Sequence, residues 1–234
     1  MTSMKSELRV IMFDLDGTLF DTARAIVSAF RATFQQLQLP QPAEDELIRE
    51  TIGLPLERAF AQLLSQEADS RTVTDCVAEY QRQFQTLILP MAASLLFPGV
   101  AAGLQQLKGA GFHLAVTTNK FARSANSLLA AAGIAPLFDV VVCADQVTEK
   151  KPAPESGNKI LDHYQVRAID AVMVGDTTHD ILMAHQVGCQ VIAVDYGIQN
   201  RQVLAAAEPS IIVSSFAAVV DWCRHRDVSR VAAG

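Results

Sequence analysis

The chain has 234 residues, half of them apolar and 19% charged, enough for one large domain or a domain with a sizeable insertion around an ordinary core. Its formal net charge of −6, from 25 acids against 19 bases, argues against a nucleic-acid surface, which needs clustered Lys and Arg. No apolar run approaches membrane-spanning length and "MTSMKSELR" lacks the apolar core of a signal peptide, so the expected setting is the cytoplasm, with no membrane partner.

The first element is "VIMFDLDGTLF", residues 10–20. Four apolar residues end in Asp14, Asp16 follows two positions later, and Gly17 comes next. Residues 9–13 read as a buried strand. Residues 21–98 contain no convincing strand. Ile26, Phe30, Phe34 and Leu37 recur there at helical spacing, as do Phe60, Leu63 and Leu64 with Leu56. "LPQPAEDEL" and "IGLPLER" are Pro-marked breaks between helices. These stripes fit a helix–helix core better than a cofactor box.

From residue 99 a repeated pattern of helix, glycine and short apolar strand takes over, with strands at 112–117, 139–143, 171–174 and 190–194 and a candidate sixth at 210–213. Gly111, Gly133 and Gly188 stand where a left-handed residue closes a helix. Strands rich in Val, Ile, Leu and Ala without polar alternation imply burial on both faces, hence a parallel sheet covered by helices. The expected fold is α/β: a three-layer, Rossmann-like core from residues 1–20 and 95–234, with a helical cap at 21–94. Its linkers fall near 18–22 and 92–99, and the last eight residues, "DVSRVAAG", read as frayed.

In an open parallel sheet, chemistry gathers beyond the carboxyl ends of the strands. Four polar signals fall there: Asp14 and Asp16; "TTNK", with Thr117, Thr118, Asn119 and Lys120; "KKPAP", with Lys151; and "GDTTHD", with Asp176 and Asp180. Each alone reads as a turn former, a helix cap or a solvated loop residue. Together they bring four carboxylates, a hydroxyl and a lysine to one sheet edge. Uncompensated, those acids would repel one another and raise each other's pKa. A divalent cation plus Lys151 relieves that cost, and hard oxygen ligands with waters left over describe a Mg²⁺ site. A carboxylate also serves as a nucleophile toward phosphorus, and a second acid nearby protonates the leaving group and then activates water. Gly17 lets backbone amides approach a phosphate closely.

"DLDGT", "TTN", "KPAP" and "GDTTHD", in this order, resemble the four motifs of the haloacid dehalogenase superfamily. The helical stretch between the first and second motifs is similar to that of the phosphoglycolate phosphatase and β-phosphoglucomutase subgroup. The resemblance implies Asp14 as nucleophile, Asp16 as general acid/base, and Thr118 with the Asn119 backbone on the phosphoryl group. It implies Lys151 as the charge-balancing lysine and Mg²⁺ held by Asp14, Asp176 and the Asp16 carbonyl. Asp180 would support the metal shell or pair with Lys151.

Asp16 is present where dehalogenases lack that acid, and residues 21–98 hold no lysine for a Schiff base, so phosphate-ester chemistry remains. The expected function is a Mg²⁺-dependent phosphatase acting on a small phosphorylated metabolite such as phosphoglycolate, as monomer or homodimer. A phosphosugar mutase, a pyrophosphatase or a nucleotidase of the same family would share every core residue. A degenerate binding module would lack the nucleophile or the lysine, and neither is missing. Gly17, Thr118, Asn119 and Lys120 are the expected substrate contacts of the core. Arg49, Arg58 and the Gly53–Leu54–Pro55 loop are those of the cap, although each arginine also reads as a solvated helix residue. His179 reads as structural or solvated, with a proton-shuttling role left open. Gly157 and Asn158 interrupt a helix start without a sequence-level reason.

Overall fold

The computed structural model describes residues 8–228. Six strands form one sheet: β1 (Val10–Phe13), β2 (His113–Thr117), β3 (Val140–Val142), β4 (Ala171–Gly175), β5 (Gln190–Val194) and β6 (Ile211–Val213). Their order is β3-β2-β1-β4-β5-β6, and every pairing is parallel. The candidate sixth strand is therefore real. β3 and β6 are the edges and have three residues each, short enough to offer little template for pairing with another chain.

Alternation along each strand divides the core into two layers. Ile11, Phe13, Leu114, Val116, Val172, Val174, Ile192 and Val194 face one side, where they meet α5 (Val100–Gly109), α6 (Ala122–Ala131) and α10 (Phe216–Val228). Val10, Met12, Ala115, Ala171, Met173, Val191 and Ala193 face the other, against α7 (Glu155–Tyr164), α8 (Thr178–Val187) and α9 (Arg201–Ala206). Both faces are covered, and the strands need no polar alternation. The C-terminal stretch read as frayed lies outside the described residues from 229 on, while its first two residues close α10. No helix among the described residues is long and apolar enough to cross a membrane.

Gly111, Gly133 and Gly188 all have positive φ, as their helix-closing positions require. Gly157 has a different reason. A Cβ there would stand 2.7 Å from Val187 Cγ2 and 2.8 Å from Met183 Sδ, so the glycine lets α7 and α8 cross closely.

Between β1 and α5 the chain builds α1 (Ala23–Gln36), α2 (Asp45–Arg49), α3 (Leu56–Leu64), α4 (Arg71–Leu87) and a 3₁₀ segment, Leu89–Leu95. On α1 the buried residues include Ile26, Phe30 and Phe34, one per turn, the spacing that puts them on one stripe. On α4, Val73, Cys76, Tyr80 and Phe84 are buried, and the Ser70 hydroxyl accepts from Val73 N–H at 3.3 Å to cap the first turn. The stripes meet through aromatic rings: Phe30 lies 4.5 Å from Phe60 and 4.9 Å from Tyr80, centroid to centroid. The two strands of chain that enter and leave this helical segment run side by side. Asp21 N–H donates to Leu95 O at 2.7 Å and Phe97 N–H to Leu19 O at 3.0 Å.

Candidate active site

β1 lies between β2 and β4, where the strand order reverses direction, the position at which an open α/β sheet leaves a crevice beyond its carboxyl ends. Asp14 follows Phe13 directly, and its N–H still donates to Val174 O at 3.0 Å. Thr118 likewise prolongs β2, its N–H reaching Val142 O at 3.1 Å. Asp176 follows the last residue of β4. The sheet thus brings residues 14, 118 and 176 to one edge, and Lys151 arrives from the loop after β3.

Lys151 is buried and spends all three ammonium protons within this edge. It donates to Asp14 Oδ1 at 2.7 Å, to Asp180 Oδ1 at 2.6 Å and to Thr117 O at 2.9 Å. Asn119 holds its backbone: Oδ1 accepts from Lys151 N–H at 3.0 Å, while Nδ2 donates to Lys151 O at 3.0 Å and to Gly53 O at 2.9 Å. Asp180 is the third residue of α8 and forms a capping box, its Oδ2 accepting from the Thr177 N–H at 3.1 Å and hydroxyl at 2.8 Å. Asp180 thus meets Lys151, and it also lies within the acidic group that could hold a metal ion.

Asp176 is fully buried. Its Oδ1 accepts from the Thr18 hydroxyl at 2.9 Å and its Oδ2 from Ile198 N–H at 2.7 Å. Glycines at 17 and 197 make room for it, since a Cβ on either would collide with its side chain. Asp16 faces the pocket between two donors, the Thr22 hydroxyl at 2.7 Å and Lys120 Nζ at 2.8 Å. Lys120 also sits 4.5 Å from the centre of the Phe84 ring, and its N–H donates to the Thr118 hydroxyl at 3.2 Å.

Asp14, Asp176 and Asp180 are all buried and offer oxygens within 4.8 Å of one another. Burial pushes the Asp14 carboxyl up to about 7; the Lys151 charge opposes this, and Asp180 and Asp16 add to it. Asp176 is raised well above the usual carboxylate range by burial, then by Asp14 and Asp180. Burial pulls the Lys151 ammonium down, but Asp14 and Asp180 outweigh it and hold it above the ordinary lysine value. The two directions agree: one ammonium cannot neutralise three carboxylates. Each of the three carboxylates keeps lone pairs beyond these hydrogen bonds, and such a hard-oxygen set could hold Mg²⁺. His179 is pulled below its ordinary value, chiefly by burial, and its buried Nδ1 has no hydrogen-bond partner among the described residues.

Above the site lies a pocket open to solvent, with Asp14, Asp16, Thr118, Asn119, Lys120 and Lys151 in its floor. Of the candidate cap contacts, Gly53 and Leu54 line it. Arg49 and Arg58 do not. Arg49 sits 3.9 Å from Glu46 on its own helix, and Arg58 is exposed. The sequence reading missed Thr18, Thr22 and Thr177, which hold the three acids, and the side-chain role of Asn119. The two hydroxyls inside "DGTLFDT" were the available signal.

Burying acids of like charge together costs stability, and proteins concentrate such groups where chemistry uses them. The chain is an enzyme of the α/β class. Residues 11–194 match the family described as haloacid dehalogenase-like hydrolase. A Dickeya dadantii relative named Probable phosphatase IndB is 48% identical, covering 90% of this chain and 91% of its own. A phosphoglycolate phosphatase of Vibrio parahaemolyticus is 30% identical (93% and 96% covered) and the pyrophosphatase PpaX of Halalkalibacterium halodurans 31% (92% and 96%). The solved structure of a haloacid dehalogenase-like family hydrolase from Streptococcus pneumoniae superposes with a TM-score of 0.78 at 28% identity, covering 92% of this chain and 98% of that one. The chain belongs to the haloacid dehalogenase-like hydrolase family.

Proposed function

We propose that this chain is a Mg²⁺-dependent phosphomonoesterase that transfers the phosphoryl group of a small phosphorylated metabolite to Asp14 and then to water. The observation that carries the reading is the pairing of two acids at the pocket floor with opposite settings. Asp14 is buried and locked by Lys151 at 2.7 Å. Asp16 faces the cavity and is held by two side-chain donors, a lysine and a threonine.

Lys151 engages Asp14 Oδ1, and Oδ2 takes no hydrogen bond among the described residues. Oδ2 is the oxygen free to attack phosphorus. As the new P–O bond forms and the bond to the leaving oxygen breaks, Asp16 gives that oxygen a proton. In the second half Asp16 takes a proton from water, which attacks the phosphoaspartate and restores Asp14 as phosphate leaves.

Thr118 stands beside Asp14 to orient a phosphoryl oxygen, and Lys151 offsets the charge on Asp14 throughout. Asp14, Asp176 and the Asp16 carbonyl would hold Mg²⁺, which supplies charge neutralisation for the phosphoryl oxygens. The helical segment at 21–94 acts as a cap that excludes water during the first transfer.

Hydrolysis is favoured over a mutase because the second transfer needs only water, and the relatives of 30% identity or more described above are named as two phosphatases and a pyrophosphatase. The test is phosphate release from phosphomonoesters with Mg²⁺ and with chelator. Release that needs Mg²⁺ and is lost in Asp14→Asn is expected; release untouched by chelator or by that substitution would overturn the reading.

A further inference from the structure

The relatives named for phosphoglycolate and for pyrophosphate are almost equally similar to this chain, so similarity does not choose the leaving group. The walls of the cavity do. Above the floor they are Ile26, Phe30, Ile52, Leu54, Leu56 and Tyr80. This wall is stiff, because Phe30 and Tyr80 pack on each other at 4.9 Å and both contact Phe60, which Phe34 backs at 5.8 Å. The few polar side chains add little charge. The Thr51 hydroxyl already donates to Ile48 O at 2.7 Å, leaving Gln81, Ser124 and the Tyr80 hydroxyl to meet a polar group of the substrate.

Positive charge is the scarcer commodity. Among the lining residues the cations are Lys120 and Lys151. Lys151 is spent on Asp14, Asp180 and Thr117, and Lys120 on Asp16. Lys150, next in the chain, lies outside the lining and is paired with Glu57. Arg49 and Arg58 lie outside it as well. A carboxylate or second phosphate on the leaving group would therefore lose water against an apolar wall, near Asp14 and Asp16, with no uncommitted cation among the lining residues to meet it.

The geometry points to a substrate class: phosphate monoesters of uncharged alcohols that present an apolar or aromatic face, with esters carrying a second anion discriminated against. This rests on the phosphomonoesterase reading. It moves the preferred substrate away from phosphoglycolate and pyrophosphate, whose second anion has no partner here.

The test compares kcat/KM, by phosphate release at saturating Mg²⁺, for benzyl phosphate, 4-carbamoylbenzyl phosphate, 4-carboxybenzyl phosphate and phosphoglycolate. The carbamoyl and carboxylate esters match in size and differ in charge. The neutral esters should exceed both charged ones by about tenfold or more, chiefly through KM. Leu54→Lys, which places a cation in the wall, should narrow the carbamoyl-to-carboxylate ratio. A carboxylate ester or phosphoglycolate turned over as well as the neutral esters would overturn the inference and leave the phosphomonoesterase standing. No release from any ester, with folding verified by circular dichroism, would overturn both.

Discussion

Replacing Gly17 by alanine perturbs the site through one methyl group. Gly17 has φ +86°, and a Cβ there would stand 2.0 Å from Asp176 Oδ2 and 2.9 Å from Ile198 Cγ1, against 3.4 Å where ordinary contact begins. Asp176 has no easy retreat. Its oxygens are fixed by the Thr18 hydroxyl and Ile198 N–H, and Gly197 also packs closely on it, since a Cβ there would come within 2.5 Å of both Asp176 Cβ and Oδ2. Left-handed backbone costs a non-glycine residue about 1–2 kcal/mol, and a strained hydrogen bond to a buried carboxylate about 1.5–3 kcal/mol more. The expected loss is about 3–5 kcal/mol of stability, read as a lowered urea midpoint. Displacing a ligand by about 1 Å should also cost about 100-fold in turnover and raise the Mg²⁺ needed for half-activity. Gly99→Ala is the control. Gly99 has φ +83° and nothing within 4 Å of its Cβ position, so it carries the backbone cost alone and should leave Mg²⁺ dependence unchanged. If Gly17→Ala and Gly99→Ala behaved alike in both assays, the close packing of Gly17 on Asp176 would carry no consequence and the reasoning would fail.

Other expectations follow from the buried charges. Lys151→Met should destabilise the metal-free protein by about 3–5 kcal/mol, because it strands buried carboxylates; a midpoint within error of wild type would show that the lysine is not their counter-ion. The Asp14 carboxyl sits near 7 in the folded chain against 3.8 in the unfolded one. The folded state therefore holds a proton that the unfolded state releases, and this contribution, full below pH 3.8, is lost as pH rises through about 7. In chelator, the fall in Tm between pH 5 and 8 should be shallower for Asp14→Asn than for wild type; parallel curves would refute it. Burial raises the Cys76 thiol to about 11 and those of Cys143, Cys189 and Cys223 to about 12. All four should resist a thiol reagent at neutral pH until urea unfolds the chain, and rapid native labelling would place one of them in a different environment.

What the sequence made legible is tied to topology. Unbroken apolar runs such as "VIMF" and "AVMV" can be satisfied only by strands covered on both faces, and the residue after each such run must emerge at the sheet's carboxyl edge. Asp14, Thr118 and Asp176 were readable for that reason. Asp16–Lys120 and Asn119–Gly53 were not, because each joins loops from distant elements whose approach depends on loop geometry. Arg49 and Arg58 show the same limit within the helical segment. Periodicity identifies the buried stripe of a helix, but not which neighbour the opposite face meets. Gly157 looked like a flaw until the crossing of α7 and α8 supplied the contact it makes room for.

The central claim is that Asp14 carries the phosphoryl group. The most direct measurement is a rapid acid quench during turnover of a phosphomonoester, followed by borohydride reduction and peptide mass spectrometry. A phosphorylated aspartate is reduced to homoserine, and the account predicts that mark at position 14, dependent on Mg²⁺ and absent from Asp14→Asn. Turnover without any mark at position 14, or with the mark on another carboxylate, would contradict it.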